Sequence, residues 1–245
     1  MKNNLLIFLA CLALTSCTKE LKFEQKKYEK KTQNDAKNGA QVSIDIPVAI
    51  TESVEADSIN KAVFAAAKEI IYVGDKPFEA DDYSALMNSF VESYTDFKKE
   101  NSYEIGWSAE IKGSIIYTSD AILNIELNHY SFTGGAHGYS GKRSLIFDAI
   151  TGKTIANKNL FIDEKAFKKM AEVKFRNKYK IASNAPINST DFMFENEDFQ
   201  LPQTYFFTKN GFLLYYNVYE IASYAQGNFE VLIPYTEMKP YLKIK

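Results

Sequence analysis

Cysteine is almost absent from this chain, and its placement excludes several chemistries. The 245 residues hold Cys11 and Cys17 and none beyond, with two histidines and one tryptophan. A disulfide framework, a thiolate metal site, a redox dithiol and a cysteine nucleophile are therefore excluded from the body of the chain. Charge of one sign is lacking too: 29 Lys+Arg stand against 31 Asp+Glu, a net −2. No nucleic-acid partner is expected from such a balance. The signatures Gly-x-Ser-x-Gly, His-Glu-x-x-His and Cys-x-x-Cys are missing. Gly141-Lys142 is not a phosphate loop, because Ala136 stands where its first glycine belongs and Arg143 replaces the Ser/Thr. What is present is core material: 46% hydrophobic and 14% aromatic residues, which rules out a disordered chain.

The longest apolar run, residues 5–14, has ten members after the basic Lys2. A bilayer-spanning helix needs about 20, so the run fits the core of a secretory signal. It ends in Leu14-Thr15-Ser16-Cys17. This resembles the bacterial lipobox at all four positions and implies a lipoprotein signal peptide over 1–16, with Cys17 as the lipidated first mature residue. Several acyl chains on one residue make a lasting anchor. Thr18 rather than Asp resembles an outer-membrane address, so the expected location is the bacterial cell envelope, as an outer-membrane lipoprotein facing periplasm or cell surface.

Charge then divides along the chain. Residues 18–40 carry seven Lys and four Asp/Glu, net +3, and residues 41–245 carry net −6. The first stretch is polar and lysine-rich. Residues 17–40 are accordingly expected to be the lipidated cysteine and a flexible polar tether, with a secondary attraction to anionic headgroups.

From residue 41 onward, strand and helix periods alternate. Val42, Ile44, Ile46 and Val48 form a half-buried strand, placed at an edge by Pro47. Asp57 is expected to cap a helix bearing Ile59, Val63, Ala66 and Ile70. Asp81-Asp82 opens a second helix striped by Tyr83, Leu86, Met87, Phe90, Tyr94 and Phe97. Strands follow at 103–112, at 123–127 with Asn124, Glu126 and Asn128 on the polar parity, and at 143–148 before a turn at Thr151-Gly152-Lys153. Asp163 opens a helix with Phe167, Met170 and Val173 inward. Residues 205–208 and 212–217 flank Asn210-Gly211 as a hairpin. A last strand at 229–233 and a short helix at 235–242 close the chain. The expected class is α+β: a mainly antiparallel sheet with helices packed on one side, in two small fused units, 41–150 and 151–245.

Two motifs stand out. One is Asn128-His129-Tyr130-Ser131-Phe132-Thr133-Gly134-Gly135-Ala136-His137-Gly138, followed by Tyr139. The other is Tyr219-Glu220-Ile221-Ala222-Ser223-Tyr224-Ala225-Gln226-Gly227, followed by Val231-Leu232-Ile233-Pro234-Tyr235. With Asp148 through Lys153 they resemble the paired domains of unknown function numbered 4163 and 3298. These occur in the extracellular part of the anti-sigma factor RsiV and in the N-terminal region of the deacetylase PdaC. The resemblance spans roughly 42–245. It implies an envelope-side recognition module, with lysozyme (bound by the outer domain of RsiV) or peptidoglycan as partner. The deacetylase activity of PdaC belongs to a separate metal-dependent domain and is not implied.

Two readings of the motifs stay open. Gly134, Gly135 and Gly138 suit either a turn or a recognition loop with His137 and Tyr139 at its tip. Tyr219, Glu220, Tyr224, Gln226 and Gly227 are the matching binding residues of the second motif. His129 shares the parity of Ile125 and Leu127 and is read as a core-facing histidine. Glu220 is either a carboxylate that fixes its loop to Gly227, or a general acid in a glycan cleft, which needs a second carboxylate about 5–10 Å away. His129, His137 and Asp148 match no standard metal site, so no metal and no cofactor are expected. The leading expectation is a lipid-anchored, non-catalytic binding module. The alternatives are a cell-wall glycan enzyme using Glu220 and His137, and a structural envelope lipoprotein.

Overall fold

The computed structural model describes residues 20–32, 38–73, 79–101 and 105–244. The stretch 1–16 read as a signal peptide (with Cys11), Cys17, Tyr103 and Glu104 lie outside the described residues. The fold is α+β, with a mixed five-stranded sheet and a three-stranded antiparallel sheet.

The first sheet runs β1 (Phe23–Lys31), β2 (Ala40–Ala49), β3 (Trp107–Thr118), β4 (Ile122–Phe132), β5 (Tyr139–Asp148), side by side in that order. Only β2 and β3 are parallel. A parallel pair needs a long crossover, which here consists of α1 (Val54–Ile71) and α2 (Tyr83–Glu100). Asp82 caps α2 as its sequence indicates, accepting from the Ala85 amide at 2.7 Å. The first helix starts earlier than expected: Ser53, not Asp57, is its cap. Ile59, Val63, Leu86 and Phe90 bury against Ile44, Ile111, Ile125 and Leu127.

The expected flexible tether is corrected over much of its length. Residues 23–31 form β1, in register with β2 from Phe23↔Ala49 to Lys31↔Gln41. Tyr28 stacks on Tyr83 of α2 at 4.6 Å. An edge strand gains from charged side chains that discourage further pairing, so its lysines looked like linker. Pro47 therefore lies on an inner strand, which corrects its edge placement. It is tolerated because the β2–β3 ladder stops at Asp45↔Lys112 and because Gly113 leaves room for its ring. With six Lys and four Asp/Glu in residues 20–40, the charge from residue 20 onward is −4 rather than −6.

The second unit has α3 (Glu164–Tyr179) over β6 (Thr204–Thr208), β7 (Gly211–Tyr216) and β8 (Phe229–Ile233), closed by α4 (Tyr235–Met238). Phe167, Ala171 and Phe175 point inward at i, i+4 spacing, whereas Val173 lies on the opposite side and is exposed, contrary to expectation. The core of this unit includes Ile122 and Ile146 from the first sheet. It thus covers part of the sheet face that α1 and α2 leave open. Asn124, on the polar parity of β4, is fully buried there. Its Oδ1 accepts from the Phe207 amide at 2.8 Å, and its Nδ2 donates to Ser144 Oγ and the Leu145 carbonyl.

Candidate functional site

The two motifs, about 85 residues apart in sequence, meet in space. The first forms the loop between β4 and β5, where Gly134 and Gly135 have φ of +107° and +91°, a region open mainly to glycine. Nothing crowds either position, so the glycines serve the turn itself. Gly138 differs: a Cβ there would overlap the Tyr130 ring, which lies across the loop base. This close approach presents His137 outward.

The His137 imidazole stacks on Tyr224 with centroids 3.9 Å apart and planes at 16°. Its Nδ1 lies 2.9 Å from the Gly138 carbonyl, and its Nε2 lies 3.2 Å from the Tyr219 hydroxyl. A carbonyl only accepts, so Nδ1 carries the proton and Tyr219 donates to Nε2. Tyr219 and Tyr224 are themselves 5.4 Å apart. Tyr219 is 58% exposed with φ of +68°. The result is a surface patch of three rings, one from the β4–β5 hairpin and two from the 219–227 segment, with polar edges and apolar faces, the kind of surface enriched at binding sites.

The other residues of the second motif build its support. Glu220 Oε1 accepts from the Gln203 amide at 2.7 Å and Oε2 from the Asn217 amide at 2.8 Å. Burial pushes its carboxyl up, while these two donors pull it down. Of the two readings of Glu220, the structure shows the loop-holding carboxylate, tied to residues 203 and 217 rather than to Gly227. Gln226 completes a capping box with Ser223, accepting from its amide and hydroxyl at 3.1 Å. Gly227, at φ +77°, supplies the turn that follows.

Asn217 belongs to neither motif, yet it helps join them. Its Oδ1 accepts from the Lys142 amide at 2.7 Å and its Nδ2 donates to the Lys142 carbonyl at 3.0 Å. The side chain thus imitates a pairing strand on the open edge of β5. Beside it lies a cleft of about 370 Å³ whose lining includes Glu69, His129, Tyr139, Arg143, Thr204 and Asn217. Tyr139 is therefore on the cleft wall, 5.9 Å from His129, rather than in the three-ring patch. The one available signal was an asparagine directly after an apolar strand. Asp148 sits at the opposite end of β5 from the His137 loop, so the two do not meet.

Burial, then the nearby Arg143, lowers the His129 imidazole to about 4. Above its ordinary value of 6.5 both folded and unfolded chains hold it neutral. As pH falls from 6.5 towards 4 the unfolded chain takes up a proton that the folded one refuses, so stability drops. Chemical denaturation of wild type and His129→Gln at pH 7 and pH 5 checks this. The variant is expected to lose less stability between the two; an equal loss would refute the assignment.

Comparison with known proteins bears on the whole arrangement. Residues 33–140 match the family model described as Deacetylase PdaC, and residues 158–236 match Protein of unknown function (DUF3298). A DUF3298 family member from Bacteroides fragilis is 22% identical, with a TM-score of 0.74 over 92% of this chain and 94% of that one. A DUF3298 family protein from Pseudomonas aeruginosa is 24% identical, with a TM-score of 0.71 over 92% and 96%. At these identities the likeness is one of fold. No curated protein matches the chain. The two family matches lie side by side along the chain and, with neighbours built alike over nearly their full length, match a paired PdaC/DUF3298 arrangement.

Proposed function

We propose that this chain is a non-catalytic binding module of the bacterial envelope, anchored by lipid at Cys17 and facing periplasm or cell surface from the outer membrane. Its recognition surface is the patch of His137, Tyr219 and Tyr224 with the flanking loop at 133–139. The convergence of the two motifs on one exposed surface carries this reading, since unrelated structural turns have no reason to share a stack. Against a catalytic role for Glu220, both its oxygens already receive backbone amides. The matching family name refers to a deacetylase, but that activity lies in a separate domain of PdaC.

Lysozyme is the favoured partner, and peptidoglycan the other. A net −4 over residues 20–245 favours encounter with a cationic protein, by an attraction that salt screens. Calorimetric titration with lysozyme at low and high ionic strength tests this. Binding that weakens as salt rises is expected. No heat at low salt would remove lysozyme, and co-sedimentation with purified peptidoglycan would then decide whether that polymer is the ligand.

A further inference from the structure

The five-stranded sheet has two distinct ends. One holds the β4–β5 loop and the His137 patch. The other collects the start of β1, the end of β2, the β3–β4 turn and the turn after β5, as their registers require. β4 alone separates these ends by about 35 Å, from eleven residues at about 3.3 Å each.

The second end is unusually apolar at its tip. Val54 is 79% exposed, Ile150 66% and Ile50 43%. They belong to adjoining segments: Gly152, two residues past Ile150, packs directly on the backbone of Glu55, and Ile50 donates its amide to the Lys22 carbonyl. Lys22 and Lys153 share this end with Glu20, Glu52, Glu55, Asp120 and Asp148, so acidic groups outnumber basic ones there and any hold on a bilayer comes from apolar burial rather than from charge.

The described chain also begins at this tip. The Thr51 hydroxyl donates to the Glu20 carbonyl, and the Lys22 amide donates to Thr51 Oγ1 at 2.9 Å. Cys17 precedes Glu20 by three residues, a reach of about 11 Å at most. An acylated Cys17 would hold Glu20, and the apolar tip beside it, at the bilayer interface. A tether running to residue 40 would impose no such closeness; the inclusion of β1 in the sheet removes that slack.

We infer that the end bearing Ile50, Val54 and Ile150 rests on a lipid bilayer, so that the His137 patch stands about 35 Å above it. The inference rests on the proposed anchoring at Cys17. Each side chain that enters the interface adds apolar burial to the hold of the acyl chains.

The test uses the full chain from a host that acylates lipobox cysteines. It is reconstituted into phosphatidylethanolamine/phosphatidylglycerol vesicles containing doxyl-labelled lipid. A fluorescent probe is attached to the thiol introduced by Val54→Cys or, separately, by Ala136→Cys. Mass measurement of the N-terminal peptide first establishes acylation. Strong quenching at 54 and none at 136 is expected, with loss of the quenching at 54 when Ile150→Glu is added. An acylated protein with no quenching at 54, or equal quenching at both positions, overturns the inference alone. An unmodified Cys17 overturns the anchor and the inference together.

Discussion

Asn124→Ala is expected to lower unfolding stability by about 3–4 kcal/mol, a large share of the 5–15 kcal/mol typical of a domain. The asparagine is fully buried between the two units. Its loss would leave the Phe207 amide without its 2.8 Å acceptor and the Leu145 carbonyl without its 3.0 Å donor. An orphaned buried amide costs about 1–3 kcal/mol. The space vacated at the sheet face adds a cavity cost. Because Asn124 joins β4 to β6, the variant is also expected to loosen the two units from each other. Denaturant titration read separately at Trp107, in the first core, and in the far-ultraviolet should give two midpoints where wild type gives one. A loss under 1 kcal/mol with a single shared transition would mean that the apolar contacts of Ile122 and Ile146 join the units without help.

Gly152→Ala is the other large effect, about 3 kcal/mol or more. The φ of +65° alone costs an alanine about 1–2 kcal/mol. A Cβ there would also overlap the Glu55 carbonyl oxygen and lie 2.7 Å from the Glu55 Cα. Backbone cannot yield as a side-chain tip can, so the first turn of α1 must shift from the end of β5. Asp148 makes the turn unforgiving, because its Oδ1 accepts from the amides of Ile150 and Thr151 and from the Thr151 hydroxyl. Gly134→Ala is the control: φ is also positive but nothing lies within 4 Å, so only the conformational cost remains, about 1–2 kcal/mol. Thermal melts of the two variants distinguish them, and equal shifts would show that the contact with Glu55 is unimportant.

The contrast between these positions shows what was legible in the sequence. Gly152 announces itself within the turn Thr151-Gly152-Lys153, and its conformation follows from local chemistry. The stripe of α2 and its Asp82 cap were equally local. Asn124 was not legible. Strand alternation places it with Glu126 and Asn128 on a face that reads as solvent, and only the docking of the second unit converts that face into an interior. β1 failed for the opposite reason. As an edge strand it buries little, with only Phe23 and Tyr28 half-buried, and so carries no alternation to detect. The site divides in the same way. The glycines of 134–138 and the residues 219–227 stood out as motifs, but which of their side chains face outward depended on tertiary contacts. Glu220 and Gln226 are spent on holding the backbone, while His137, Tyr219 and Tyr224 meet across the interface of the two units.

That meeting is the basis of the proposed recognition surface. Its most direct test is a calorimetric titration of lysozyme into wild type and Tyr219→Ala at low ionic strength. Tyr219 is exposed and its contacts are confined to the surface patch, so its removal should leave the protein folded, as a thermal melt would show. Wild type is expected to bind, and the variant at least about tenfold more weakly, the scale of an exposed aromatic hot spot. Equal affinities in the two proteins, with folding intact, would contradict it.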